Sequence, residues 1–157
     1  MRVVIQRVLE GRVRVEGEVV GSIGPGVVVL LGVDRGDGEK EVDELVQRIA
    51  HFRMFEDESG RMGRSILEVG AELLLVSQVT LCRQPRKGSR PSFDQAEKPD
   101  VARQLLLRFE ESLRVEGVER ISGGRFGARM QVEMVGDGPV TFVFESQAGW
   151  SQTPEIS

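Results

Sequence analysis

The hydrophobic positions along the chain follow two different periods, and the first is that of a strand. The segments VVIQRV, RVRVEG and EVVGSIG carry β-branched residues that alternate or cluster between glycine-containing turns. Residues 27–33, VVVLLGV, form a continuous apolar run, which is typical of a strand covered on both faces. The first part of the chain therefore predicts the core of a sheet.

Two later segments change to the period of an amphipathic helix. In residues 39–55, apolar residues recur at helical spacing with polar residues opposite them. In residues 99–116, Pro99 suits a first helical turn, and Gly117 suits the position after the last. The expected apolar stripes are Val42, Leu45, Val46, Ile49 and Phe52 in the first helix and Val101, Leu105, Phe109 and Leu113 in the second.

Strand patterns return in AELLLVSQVTL and around residues 130–135 and 140–145. Between the last two lies GDGPVT, and its Asp-Gly and Gly-Pro dipeptides usually form turns. Residues 147–157 lack periodicity and predict a loosely ordered tail. We therefore expect one α+β domain over residues 1–146, a mostly antiparallel sheet or barrel with two packed helices.

Composition narrows the class of protein. A chain of 157 residues is one ordinary domain with a single core. Its one cysteine, Cys82, excludes an internal disulfide framework and fits a reducing compartment. Charges every few residues at the N-terminus argue against a signal peptide or a membrane span. We expect a cytoplasmic protein that does not interact with membranes.

The charge pattern bears on nucleic-acid binding. A net charge of −4 argues against a protein that coats nucleic acid through a general positive field. One segment, CRQPRKGSRPSF, is locally basic, and its prolines and glycine indicate a loop. Pattern alone favours a solvated surface loop. Its basic residues are Arg83, Arg86, Lys87 and Arg90.

Familiar catalytic arrangements are missing from the sequence. The single histidine, His51, lies roughly opposite the apolar stripe of the first helix, which predicts a solvated surface side chain. The acidic residues between Asp34 and Glu41 are interpreted as a polar turn before a helix N-terminus, so no metal or cofactor is expected. Catalysis, if present, would use hydroxyls, amides and the backbone.

Such groups are concentrated in SQVTL, where Ser77, Gln78 and Thr80 follow the apolar run LLLV. One interpretation is a strand that ends in a polar loop. The other is the floor of a pocket whose donors hold a carbonyl oxygen as negative charge develops on it. The pattern alone does not separate the two.

Four motifs in order, SQVTL, RKGSRPSF, GRFGARMQV and DGPVT, with IQRV near the start, resemble the bacterial D-aminoacyl-tRNA deacylase family. The resemblance extends from Met1 to about Ser146. Val79 stands where the family motif SQFTL has Phe, and Gly136 stands where NxGPxT has Asn. Both changes keep the backbone atoms, so we expect the activity to persist with an altered pocket shape and loop rigidity.

The resemblance implies a homodimer that hydrolyses the ester of D-aminoacyl-tRNA and of glycyl-tRNA without a cofactor, and rejects L-aminoacyl-tRNA. It also implies that the Gly138–Pro139 bond is cis and that this dipeptide reaches into the partner's pocket as a chirality filter. A rigid backbone wall there would leave no room for an L side chain.

The resemblance further assigns residues to roles. The backbone N–H groups of Val79 and Thr80 would polarise the carbonyl, and the basic loop would follow the acceptor-stem phosphates. Phe126 and Met130 would line the pocket for the terminal adenine, and Arg7 would brace the Gly-Pro loop. The alternatives are ordinary core side chains and a strand-edge arginine. The implied catalytic residues are Ser77, Gln78, Val79 and Thr80.

Two other functions remain compatible with the sequence. The first is a non-catalytic RNA-binding accessory domain of the same fold, which lost turnover through Val79 and Gly136. The second is an ordinary serine or threonine hydrolase of small esters, which would need no tRNA.

Overall fold

The computed structural model describes residues 1–82 and 88–146. The tail at residues 147–157 and the basic residues Arg83, Arg86 and Lys87 lie outside the described residues. The described strands are β1 (Arg2–Val15), β2 (Glu18–Ile23), β3 (Gly26–Gly32), β4 (Phe55–Glu56), β5 (Met62–Arg64), β6 (Glu72–Ser77), β7 (Ile121–Gly123) and β8 (Gln131–Glu145). The helices are α1 (Glu39–His51), α2 (Ile66–Val69) and α3 (Pro99–Glu116), with a short 3-10 helix at Val79–Leu81.

The long strand β1 organises the main sheet. It pairs antiparallel with β2, β3 and β8, while β3 pairs parallel with β6 and β6 pairs parallel with β7. The sheet curves until its ends approach each other, and the Ser122 hydroxyl of β7 donates a hydrogen bond of 3.0 Å to the Ser22 carbonyl of β2. The expected α+β fold is confirmed as a nearly closed barrel with helices packed on it.

The core lies on both faces of β3, as its continuous apolar run predicts. Val29 and Leu31 join the larger cluster, where the sheet packs against α1 and α3. Val28 faces the opposite side and joins a second cluster with Leu74 and Val76 of β6. Both helices predicted from apolar spacing are present, and the four-residue α2 is an additional helix.

The helix boundaries differ from the prediction in two places. Helix α1 ends at His51, because Phe52 adopts an extended backbone with ψ of 131°, and Phe55 begins β4. In α3 the first apolar position of the expected stripe, Val101, is 38% exposed. Ala102 and Leu106 pack against the core instead, since the buried face is rotated by one residue at this end.

Two chain reversals that the local patterns favour are absent. RVRVEG continues the strand begun by VVIQRV, and both belong to β1. GDGPVT does not form a hairpin turn, because β8 runs from Gln131 to Glu145 and pairs with β1 along most of its length. The register between them shifts near Val8, so the glycines are accommodated as a bulge. No helix among the described residues is long and apolar enough to cross a membrane.

Candidate active site

An open cavity of about 460 Å³ lies at the end of β6, where β6, the start of α3 and the loop between β7 and β8 meet. Three residues of the SQVTL motif line it, and among the lining residues of the GRFGARM segment are the two expected at the adenine pocket. These are Ser77, Gln78, Val79, Phe126 and Met130. The fold therefore brings together residues about fifty positions apart in the sequence.

The SQVTL motif turns sharply at the end of β6. The Gln78 N–H donates a hydrogen bond of 2.8 Å to the Leu31 carbonyl of β3, and the chain then enters the 3-10 helix. Gly32 makes this turn possible, because a Cβ on Gly32 would lie 2.8 Å from Leu81 Cβ and 3.0 Å from the Gln78 carbonyl oxygen. The position of the turn depends on a close backbone approach.

Among the described residues, two backbone amides of this turn have no acceptor. Val79 and Thr80 occupy the first positions of the 3-10 helix, where the N–H groups have no partner within the helix. Within residues 1–82 and 88–146, neither amide donates a hydrogen bond. Adjacent free donors beside a cavity are suited to hold a developing oxyanion.

Thr80 is exposed and is not part of the cavity lining. Its hydroxyl accepts a hydrogen bond from Gln78 Nε2. A carboxamide is not a base, so this contact does not activate the hydroxyl as a nucleophile. His51 is 58% exposed at the end of α1 and contacts Glu116, which confirms the expected surface histidine.

A tight turn positions the two residues expected at the adenine pocket. The Ala128 N–H donates a hydrogen bond of 3.1 Å to the Arg125 carbonyl, and Gly127 has a φ of 76°. Phe126 lies within this turn and Met130 follows it by two residues, and both line the same cavity.

The Gly138–Pro139 peptide bond is cis. Both residues are exposed, and neither belongs to the lining of the cavity in the same chain. They lie within β8, on the segment where its register against β1 shifts.

Arg7 is not among the residues that line this cavity either, and only 6% of its surface is exposed. Its Nη1 donates a hydrogen bond of 2.8 Å to the Met54 carbonyl. Its Nε lies 3.2 Å from Asp137 Oδ2 and 3.3 Å from the Asp137 carbonyl oxygen. The guanidinium therefore contacts the residue that precedes Gly138 and links it to the chain before β4.

Sequence reasoning missed the wall that α3 and its preceding loop contribute. Pro99, Ala102 and Leu106 line the cavity together with Glu97. Backbone hydrogen bonds, first from Lys98, hold the pKa of the Glu97 carboxyl below its usual value. The signal available in the sequence was the pair of alanines in AEKPDVA, Ala96 and Ala102, because small side chains allow the start of a helix to approach another surface closely.

Cys82 is another unforeseen residue of the wall. Its thiol is buried and donates to the Val33 carbonyl at 3.2 Å. Burial disfavours the thiolate and raises the pKa of Cys82 to about 11. A neutral thiol at ordinary pH serves as an apolar part of the wall.

Comparison with known proteins places this chain among hydrolases that act on ester bonds. The chain belongs to the D-aminoacyl-tRNA deacylase family: the family described as D-Tyr-tRNA(Tyr) deacylase matches residues 4–145. The expected family is thus confirmed.

Individual relatives agree over nearly the whole chain. The D-aminoacyl-tRNA deacylase of Heliobacterium modesticaldum is 52% identical over 96% of this chain and 100% of its own length. That of Symbiobacterium thermophilum is 52% identical over 94% of this chain and 97% of its own.

Two solved structures share the fold. A c-Myc DNA Unwinding Element Binding Protein has a TM-score of 0.88 and 42% identity, covering 93% of this chain and 99% of that one. A probable eukaryotic D-amino acid tRNA deacylase has a TM-score of 0.75 and 24% identity, covering 91% of this chain and 97% of that one. At this level of identity, the similarity is evidence for a shared fold and for nothing more.

Proposed function

We propose that this protein hydrolyses the ester between a D-amino acid and the terminal ribose of tRNA, and that it also acts on glycyl-tRNA. The observation that carries the proposal is the convergence of Ser77, Gln78 and Val79 with Phe126 and Met130 on one cavity. Membership of the deacylase family supports it. Water adds across the ester, so that free D-amino acid and tRNA leave.

In the proposed mechanism, the carbonyl oxygen of the ester accepts hydrogen bonds from the amides of Val79 and Thr80 as negative charge develops on it. The absence of another acceptor for these amides among the described residues supports this role. Water attacks directly, assisted by the neighbouring hydroxyl of the substrate's own ribose. Ser77 and Gln78 keep the pocket ordered.

Thr80 tests whether the backbone or a side chain performs the chemistry. We expect Thr80→Ala to retain much of the parent activity, because the Gln78 carboxamide cannot act as the base for a Thr80 nucleophile. Single-turnover deacylation rates of the two proteins check this. A loss of several powers of ten, or a covalent aminoacyl adduct on Thr80, would contradict it.

Stereochemical rejection is proposed to occur across a homodimer. Gly138 and Pro139 are exposed and lie outside their own chain's cavity, as they would have to be in order to enter the pocket of a second copy. Arg7 would brace this segment through Asp137. The main-chain wall would exclude an L side chain, whereas a D side chain points elsewhere and glycine has none.

The basic loop is proposed to contact acceptor-stem phosphates through Arg83, Arg86, Lys87 and Arg90. Arg90 is the only one of the four among the described residues, and its side chain is exposed. Uniform attraction to phosphates would position the tRNA without reading its sequence.

Three substrates distinguish the proposed function from its alternatives: a D-aminoacyl-tRNA, its L counterpart and a free D-amino-acid ester. Deacylase activity predicts hydrolysis of the first alone. An accessory RNA-binding domain would hydrolyse none, and a small-ester hydrolase would consume the free ester. Release of the amino acid is measured for each under the same conditions.

A further inference from the structure

Three exposed arginines lie next to residues that line the cavity, and we call them the arginine rim: Arg103, Arg125 and Arg129. Each has a sequence neighbour in the cavity wall, since Arg103 follows Ala102, Arg125 precedes Phe126 and Arg129 precedes Met130. The rim is separate from the basic loop between Cys82 and Phe93. It lies on α3 and on the loop between β7 and β8.

The geometry brings these two elements together. Arg125 begins the turn closed by the Ala128 N–H, and Arg129 directly follows that turn. From α3, the guanidinium carbon of Arg103 lies 5.4 Å from the centroid of the Phe126 ring. The Arg103 side chain of the helix therefore lies against a cavity-lining ring on the same loop that carries Arg125 and Arg129.

The rim carries charge that no carboxylate neutralises. Within residues 1–82 and 88–146, none of its three guanidinium groups has a carboxylate oxygen within 4.0 Å. Elsewhere on α3, Arg108 pairs with Asp43 and Arg114 pairs with Glu110. Other arginines without a carboxylate partner occur among the described residues, but each of these three adjoins a cavity-lining residue in the sequence.

We propose that the arginine rim binds phosphodiester groups of the single-stranded RNA end whose terminal nucleoside occupies the cavity. This inference rests on the proposed function and names the surface that holds its substrate. Guanidinium groups match phosphate oxygens in a two-bond geometry. The chain has a net charge of −4, so a local basic surface is needed to hold an anionic strand at this place.

The test compares two double variants that remove the same charge. Arg125→Ala/Arg129→Ala takes two arginines from the rim, and the control Arg108→Ala/Arg114→Ala takes two paired arginines from α3. Binding of uncharged tRNA is measured at several salt concentrations, with thermal melts to confirm folding. We expect the dissociation constant of the rim variant to rise about tenfold near 0.1 M salt, and its salt slope to fall by about 1.4 for two lost phosphate contacts. The control should keep the parent values.

A second measurement separates phosphate binding from an effect on the pocket. D-aminoacyl-adenosine keeps the ester and the adenine but lacks the preceding phosphates, so the rim variant should hydrolyse it at the parent rate. An unchanged salt slope, an equal loss in the control, or an equal loss on D-aminoacyl-adenosine would each overturn the proposal. Binding of uncharged tRNA requires no turnover, so failure of the proposed hydrolysis would be seen separately in the parent protein.

Discussion

Gly32 shows how one missing side chain positions the catalytic turn. It ends β3 directly beside the 3-10 helix, and the carbonyl of Gln78 occupies the space that a Cβ would need. Any larger residue at this position must push the turn away from the strand. The orientation of the two free amides at Val79 and Thr80 therefore depends on Gly32.

We expect Gly32→Ala to lower deacylation strongly, because displacement of a reacting group by about 1 Å can cost about a hundredfold in rate. Overpacking should also reduce the free energy of unfolding by about 1–3 kcal/mol. Gly24→Ala is the matched control, since its Cβ would meet only Glu72 Oε1 at 3.8 Å. Rates and thermal melts are compared with the parent. Equal behaviour of the two variants would contradict the assignment.

At the scale of single residues, the sequence indicated which polar and aromatic residues would share a cavity better than it indicated where the backbone comes into close contact. It named Ser77 and Phe126, which the structure places on one cavity. It did not single out Gly32 or Leu106. A glycine carries no chemical signal of its own, and Leu106 belongs to a face of α3 displaced by one residue from the expected stripe, so their roles depend on tertiary contacts.

Strand β8 shows a limit of local patterns at the scale of an element. Asp-Gly and Gly-Pro favour turns, so the local pattern of GDGPVT alone is typical of a reversal between two strands. The long pairing with β1 decides otherwise, because it runs from Arg2 with Glu145 to Arg14 with Gln131 and resumes on both sides of the unpaired residues 137–140. The residues that favour a turn therefore form a bulge within one continuous strand. The existence of both long helices and of the buried strand β3 was predicted correctly, because over most of each element the apolar period coincides with burial.

Two glycines of the same bulge provide a matched pair. A Cβ on Gly138 would lie 2.7 Å from Val140 Cγ2 and 2.9 Å from Val140 N, and its φ is 130°. Gly136 has nothing within 4 Å of the corresponding position. We expect Gly138→Ala to lose about 1–3 kcal/mol of folding free energy and to reduce deacylation, whereas Gly136→Ala should stay within about 0.5 kcal/mol of the parent.

Thermal melts and paired D- and L-aminoacyl-tRNA assays measure both effects. Gly136→Asn, which restores the family residue, serves as a second control because the position has open space. If Gly138→Ala keeps the parent stability, rate and D/L preference, the bulge has no part in stereochemical rejection.

For the whole molecule, the outer surface of β1 and β8 is more apolar than a solvated sheet requires. Leu9, Val135 and Val143 are exposed by 53%, 46% and 48%, and they lie on the same two strands as Gly138 and Pro139. Contact with a second copy would cover this surface and would bring the dipeptide close to another chain.

We therefore expect a dimer at assay concentrations, with deacylation that falls on dilution as the subunits separate. Sedimentation velocity and rates measured over the same concentration range check this. Mixing a Gly138→Ala protein with one that carries Gly32→Ala offers a sharper comparison. In a mixed dimer, the intact pocket of the Gly138→Ala subunit would receive the intact filter dipeptide of the Gly32→Ala subunit, so that one of the two sites would be whole. An active monomer would count against the proposed dimer.

The position of β1 also has a consequence for synthesis of the protein on the ribosome. β1 emerges first among the described strands and finds β2 and β3 soon afterwards, but β8 emerges after all the others. Until then, the edge of β1 that will pair with residues 131–145 has open backbone donors and acceptors. A nascent chain therefore cannot complete its sheet from the N-terminus onward, and it passes most of its translation with a long edge available to other chains.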